Sequence, residues 1–324
     1  MTARGNFFAV ARAPFHRAIA TNMNAACALL VLARYSGRDN VLTKASVSAI
    51  ERHAGISRGH ARAALDALVG ANIIAHAPEH SRPSHPAYRI ATDDDGDVIV
   101  PNSIVTGIAA KEPPLQRVRE TQDPLTLRLL IDLYDWTHLA EDNGLSSALA
   151  TREYTRTRLG EVSEMVAWGF DREGGILYDP GHPLVSPHGG DDFAARLRGL
   201  TRLHLADWVP TAYESADDGA QVILSLGSTE PEEDLSAAVD DALRDLLPEG
   251  LAQRATEDHY VRLLIPAHME RVVVRDVLRL RHRAHTSRTA AWYAALARQG
   301  VAYRARLADV VDRRSGSSGS RRIA

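Results

Sequence analysis

Two stretches of helical pattern separated by three residues constrain this chain more than any other feature. Ser46–Ala54 reads as a short helix, Gly55-Ile56-Ser57 as a tight turn, and Arg58–Val69 as a longer helix. Glycine enters the left-handed conformation without a Cβ clash, so Gly55 suits the end of the short helix. The side-chain oxygen of Ser57 suits the cap of the next one. Ala61, Ala64, Leu65 and Leu68 recur at i, i+3, i+4 and i+7, which turns one face of the longer helix inward. Gly59, His60, Arg62, Ala63 and Asp66 then lie on or beside the opposite face. Upstream, Asn24–Tyr35 (NAACALLVLARY) reads as a further helix, followed by a turn at Gly37–Asn40.

Downstream, Asn72–Ala77 (NIIAHA) and Ala87–Ala91 (AYRIA) read as two short strands around a polar, proline-containing loop, Pro78–Pro86. Helix, helix, turn, helix and hairpin in this order describe a winged helix. Residues 23–91 resemble the bacterial winged helix-turn-helix regulators of the GntR and MarR type. The resemblance rests on Ala54-Gly55-Ile56-Ser57-Arg58, then Arg62, Ala64-Leu65, Leu68 and Ile73-Ile74. One departure is Glu51, where such proteins carry a small residue packed inside the turn. The resemblance implies that the third helix enters the major groove of duplex DNA while the wing lies along the backbone or the minor groove. It makes Arg58 a phosphate contact, Arg62 a reader of a guanine edge through its planar fork, and His60 either, with Ser57 and Gly59 beside them. Arg82, at the wing tip, is a candidate for a narrow minor groove. Lys44 and Arg52 are candidates for the DNA backbone. Residues 43–90 carry a net +3, and Asp66 beside the reading face keeps open a winged helix that binds protein instead.

The formal charge of −3 conceals a strong polarity. Residues 1–90 carry eleven Lys/Arg against four Asp/Glu, a net +7, and residues 270–324 carry thirteen against four, a net +9, which leaves 91–269 at −19. Basic ends hold a phosphate backbone by releasing condensed counterions, whereas an acidic middle is repelled by it and is a candidate surface for a protein partner. Lysine occurs only at Lys44 and Lys111. The preference for arginine, with abundant alanine, reads as that of a GC-rich bacterial genome. The single cysteine, Cys27, excludes a disulfide framework and a Cys-based zinc site, and points to a reducing cytosol. It lies in an apolar helix and reads as a small core residue. No apolar run approaches the roughly 18 residues of a membrane span. The segment MTARGNFFAVARAPFHRA carries no export signal, so a cytoplasmic location is expected.

With 324 residues, two or three domains are expected. The fold class expected is mainly α with α+β parts. A winged helix over 1–91 precedes a mixed α/β region over 101–285 for dimerisation or a partner, a basic C-terminal helix over 286–312 and a flexible basic tail over 313–324. The acidic, Gly-containing turn and Pro101 in ATDDDGDVIVP mark the first boundary. Residues 124–140 read as a helix started at Asp123-Pro124, and 174–192 as a long loop. Gln221–Leu226 reads as a buried strand. Leu235, Ala238, Val239, Ala242, Leu243 and Leu246 mark an amphipathic helix whose first turn holds Pro231, Glu232 and Glu233. Tyr260–Pro266 is a second strand, completing a strand–helix–strand unit of the small α/β kind. From Glu270 the chain reads as helical, with Trp292, Leu296, Tyr303, Leu307 and Val310 along one apolar stripe.

Other chemistries find less support. His76, His80 and His85 lie in or beside the wing without a nearby cysteine or fourth ligand, so they read as polar wing residues and no metal is expected. His182, His188, Asp191 and Asp192 read as surface-loop residues, and His282 and His285 as part of the basic C-terminal face. Trp168, Trp208 and Trp292 read as core or interface anchors. There is no GxSxG, no GxxxxGK[ST] and no GxGxxG after a strand, so neither an enzyme nor a cofactor is expected. The leading expectation is a sequence-specific duplex DNA-binding protein that regulates transcription as a homodimer on an inverted repeat. The alternatives are a replication or maintenance initiator of a phage, plasmid or integrated element, and a winged-helix interaction adaptor.

Overall fold

The fold is mixed α+β and divides into two compact units, each assembled from separated stretches: Met1–Leu145, Pro180–Asp207 and Leu280–Ser287 in the first, and Ser146–Asp179, Trp208–Arg279 and Arg288–Ala324 in the second. The computed structural model describes residues 6–319 except 38, 82–85, 93–95, 109–110, 138–143, 146–148, 163, 218–219, 221, 227–229, 250–251, 254–258 and 270. No helix among the described residues is long and apolar enough to cross a membrane.

In the first unit, β1 (Phe7–Ala11) leads into α1 (Arg12–Thr21), which buries Pro14, Phe15, Ala18 and Ile19. The Asn22 side chain then caps α2 (Met23–Arg34), accepting the Ala25 N–H at 2.8 Å. Every residue of α2 from Ala25 to Ala33 is buried. A helix that is apolar all round belongs at the centre of a core, and α3 (Val47–Ala54) and α4 (Arg58–Gly70) pack around it with α1. β2 (Leu42–Thr43), β3 (Ile74–His76) and β4 (Tyr88–Ile90) form an antiparallel sheet in the order β2-β4-β3, with Thr43 and His76 both opposite Tyr88.

The unit continues past the boundary expected near Pro101. β5 (Asp97–Pro101) pairs with β1 from Phe7↔Pro101 to Ala11↔Asp97. α5 (Asn102–Thr106), α6 (Pro114–Glu120) and α7 (Pro124–Asp135) follow. Asp123 starts α7 as its sequence implies, accepting the Leu125 N–H at 3.0 Å and the Thr126 hydroxyl at 2.7 Å. α8 (Gly190–Arg202) and residues 280–287 complete the unit. Tyr134 donates its hydroxyl to the His282 carbonyl at 2.8 Å, and His282 Nδ1 lies 2.8 Å from Ser103 Oγ. Burial, with Arg117 and Arg281 nearby, pushes the His282 pKa down to about 4. His282 is thus a neutral internal link and not part of a basic face.

The second unit is built on β6 (Ala150–Val162), β7 (Met165–Arg172), β8 (Leu177–Tyr178), β9 (Ala206–Tyr213), β10 (Val222–Ser225), β11 (Val261–Pro266) and β12 (Val273–Leu280). They form one curled sheet in the order β10-β9-β12-β6-β7-β11, with β8 also on β6. The long β6 pairs antiparallel with β12 through Thr151↔Val277 and then with β7, across a bulge between Arg158 and Gly160. α9 (Glu230–Leu246) carries the chain from β10 at one edge to β11 at the other. The strand–helix–strand elements stand where expected, but the two strands lie at opposite edges of an antiparallel sheet and do not neighbour each other. Leu235, Val239, Leu243 and Leu246 of α9 share a core with Phe170 and Leu263 and with Tyr303, Leu307 and Val310 of α10 (Ser287–Gly319).

From Val273 on, the chain departs from the sequence expectation. Val273–Leu280 is a strand, not helix: the β-branched run Val272-Val273-Val274 suits a pleated, half-buried surface and overrides the arginine-rich helical pattern. The helix begins at Ser287 and runs on to Gly319, through most of the expected flexible tail. It also covers an open sheet edge. The Tyr303 hydroxyl donates to the Leu264 carbonyl at 2.6 Å and accepts the Leu264 N–H at 3.1 Å, satisfying backbone groups that an edge strand otherwise exposes.

Candidate nucleic-acid interface

Local chemistry sets the corner between α3 and α4. The Ser46 side chain accepts the Ala49 N–H at 3.4 Å to start α3. Gly55 ends it with φ +62°, its N–H bonded to the Glu51 carbonyl at 3.1 Å, and a Cβ there would come within 2.6 Å of the Gln116 side chain. Ser57 occupies the cap position of α4, but its hydroxyl makes no cap bond and lies 3.1 Å from His60 Nδ1 instead. Glu51 is not packed inside the turn; its part-exposed carboxylate stands 3.8 Å from Arg58.

α4 is divided cleanly between two faces. Ala61, Ala64, Leu65 and Leu68 are buried, whereas Ser57, Arg58, Gly59, His60, Arg62, Ala63 and Asp66 are exposed. Arg58, Arg62 and Asp66 follow at intervals of four residues, so they line one stripe. The Arg58 side chain is 61% exposed. A Cβ added at Gly59 would meet nothing within 4 Å, so the backbone there is open to close approach. Lys44 is exposed ahead of α3, and Arg52 is exposed on α3. The structure therefore unites Ser57, Arg58, Gly59, His60 and Arg62 on one helix, while Lys44 and Arg52 stand on other segments. Arg82 and His85 lie outside the described residues.

The segment between β3 and β4 holds its own ion pair. Arg89 of β4 bonds Glu79 at 2.6 Å, and His80 lies 3.8 Å from the same carboxylate. The backbone N–H of Glu79 itself, with Arg89, holds that carboxyl below its ordinary range. His76 packs its ring 5.1 Å from that of Tyr88.

Sequence reasoning missed a second polar cluster. The Tyr35 hydroxyl lies 2.7 Å from His53 Nε2, and the Arg34 guanidinium lies 5.3 Å from the Tyr35 ring centroid. Burial, then the charge of Arg52, pushes the His53 pKa down. Tyr35 caps α2 and His53 lies in the last turn of α3, eighteen residues apart. No spacing rule pairs such residues in advance.

Of the residues read as a surface loop, His188 is not at the surface. His188 is buried beside Asp132, with Nε2 3.8 Å from Oδ2, and His16 Nε2 lies 2.8 Å from Oδ1. Burial alone would raise the Asp132 carboxyl, but His16, His188 and Arg128 outweigh it and hold the pKa at about 2. His182 stacks edge-on against Trp136 at 4.5 Å, and Asp192 pairs with Arg196 at 3.7 Å. Among the described residues no three His, Cys, Asp or Glu side chains are grouped to hold a metal ion. Burial pushes the Cys27 thiol up to about 12, which removes the thiolate a nucleophile needs. No family model, curated protein or solved structure matches this chain.

Proposed function

We propose that residues 23–91 form a winged helix that binds duplex DNA in a sequence-specific manner, and that the protein acts as a bacterial cytoplasmic transcriptional regulator. One observation carries the reading: α4 buries its apolar face and exposes Arg58, Gly59, His60 and Arg62 together at its N-terminal end. The three-stranded sheet beside the α3–α4 corner supports it. Arg62 extends a planar fork suited to the O6 and N7 acceptors of guanine, and Arg58 supplies a phosphate contact where the helix dipole also favours negative charge. Lys44 and Arg52 add backbone contacts, and a homodimer would match an inverted repeat. The acidic stretch 91–269 would serve a protein partner.

A second reading, an adaptor that never touches DNA, is favoured by Asp66 in the same stripe and by the pairing of Arg58 with Glu51 and Arg89 with Glu79. Capture of genomic DNA fragments by the purified protein, at two salt concentrations and with an Arg58→Ala/Arg62→Ala control, tests both. A sharp motif lost in the control supports the regulator if it maps to promoters, and an initiator of a mobile element if it maps to a repeat array. No enrichment at all supports the adaptor.

A further inference from the structure

A cleft of about 510 Å³ lies in the first unit, between the turn that joins α6 to α7 and one face of α8. Asp192, Ala195, Gly199 and Arg202 follow along α8 at intervals of three or four residues and form one wall. Thr121 and Thr126 line the other side. Arg117 of α6 donates to the Leu203 carbonyl at 2.5 Å, which ties the end of α8 to α6 and keeps the cleft formed.

The middle of the wall is small and open. Ala195 is exposed, and a Cβ added at Gly199 would meet nothing within 4 Å, so a ligand's main chain can lie directly on the helix. The charges beside this floor are already engaged. Arg196, 15% exposed, donates to Asp123 at 3.1 Å and to the His188 carbonyl at 3.2 Å, and Asp123 also caps α7. The charges at the two ends are not. Arg202 is exposed and makes no ion pair or hydrogen bond among the described residues. The Asp192 carboxylate is 69% exposed, and the Arg196 guanidinium stands 3.7 Å from it, beyond hydrogen-bond length.

An anion and a cation at opposite ends of an uncharged floor fit a ligand with an ammonium at one end and a carboxylate at the other. At a rise of about 1.5 Å per residue, the Cα atoms of Asp192 and Arg202 stand about 15 Å apart along α8. Long helical side chains lean toward the N-terminus, so the Arg202 guanidinium shortens that gap. An extended peptide spans about 3.5 Å per residue, so roughly three residues bridge it, whereas a single amino acid does not. We propose that this cleft binds a short peptide of about three residues, with its N-terminal ammonium on Asp192 and its C-terminal carboxylate on Arg202. The proposal goes beyond the duplex reading of α4 and does not depend on it.

Isothermal titration calorimetry of the full-length protein with trialanine tests it. N-acetyl-trialanine, trialanine amide and free alanine are the comparison ligands. The variants are Arg202→Ala, Asp192→Asn and Gly199→Leu, each checked by circular dichroism for an intact fold. The expected result is saturable binding with a Kd of about 0.1–1 mM. Blocking either terminus, Arg202→Ala and Asp192→Asn should each weaken it about 5- to 10-fold. In Asp192→Asn the acetyl group should cost nothing further, because both changes remove the same contact. Gly199→Leu, which fills the floor without altering a charge, should abolish binding. Three results overturn the proposal: no saturable binding up to about 5 mM trialanine, free alanine bound as tightly as trialanine, or unchanged affinity either in Gly199→Leu or in both charge variants.

Discussion

Arg62 and Lys44 are expected to separate two kinds of DNA contact. Arg62→Ala should weaken binding by roughly 1–3 kcal/mol and relax preference at one base position, whereas Lys44→Ala should weaken all sequences alike and reduce the salt slope by about 1. Selection from a randomised duplex pool, scored with each variant, reads both effects; unchanged preference in Arg62→Ala would remove α4 as the reading element. Asp132 makes a different prediction. Its carboxyl moves from 3.8 to about 2 in the folded protein, so its stabilising share is complete above about pH 4 and is lost as the pH falls toward 2. Urea unfolding at pH 6 and pH 3 should show a smaller pH dependence in Asp132→Asn. His16→Ala, which removes the 2.8 Å partner, should destabilise by about 1–3 kcal/mol at neutral pH. The exposed residues of the proposed DNA contact were legible because one turn, Gly55-Ile56-Ser57, sets which side of α4 faces out. The pairing of Asp132 with His16, and that of buried Asp276 with the Tyr154 hydroxyl at 2.8 Å, were not, because each joins side chains that lie more than a hundred positions apart in the chain.

The elements that sequence pattern exposed are those with one clean periodicity. α2, α3, α4, α7 and α9 each carry capping residues or an apolar stripe, and all stand within a few residues of their expected limits except at the end of α7, expected to run to 140 and stopping at Asp135. β6 escaped notice because its alternation, Arg152, Tyr154, Arg156 and Arg158 between threonines and Glu153, contains almost no aliphatic residue. Its faces are decided by stacking of Arg152 on Trp208 and of Arg156 on Trp168, partners that only the other strands supply. The strand β12 was hidden for the opposite reason: its valines and leucines also fit a helical spacing, and its arginines resemble those of α10. Two substitutions probe what holds the elements. Gly55→Ala should destabilise by more than about 1 kcal/mol, since φ +62° strains any Cβ and Gln116 obstructs it. Tyr303→Phe should cost about 1–3 kcal/mol, because it leaves the Leu264 N–H and carbonyl without their partner. Chemical denaturation measures each, and hydrogen exchange at the Leu264 amide should rise sharply in the tyrosine variant.

Each unit is discontinuous, so cutting the chain by length does not isolate either. A fragment of residues 1–91 keeps α1 to α4 and the three-stranded sheet but leaves β1 without β5. It should melt at a lower temperature than residues 1–145, as followed by circular dichroism. Equal melting points would mean that the β1–β5 pairing contributes little. The chain passes between the units five times, after residues 145, 179, 207, 279 and 287. On a ribosome adding roughly 5–20 residues per second, the first unit therefore stands unfinished for on the order of ten seconds after Leu145 is made. Until then Ser103 and Tyr134 wait for His282, and Asn6 waits for the Arg283 carbonyl and the His285 N–H that its side chain bonds at 2.9 and 2.8 Å, all encoded near the far end of the message. Nascent chains of this protein are thus natural clients for whatever holds unfinished polypeptides in the cell, and the proposed DNA-reading helix is translated long before the body that supports it is closed.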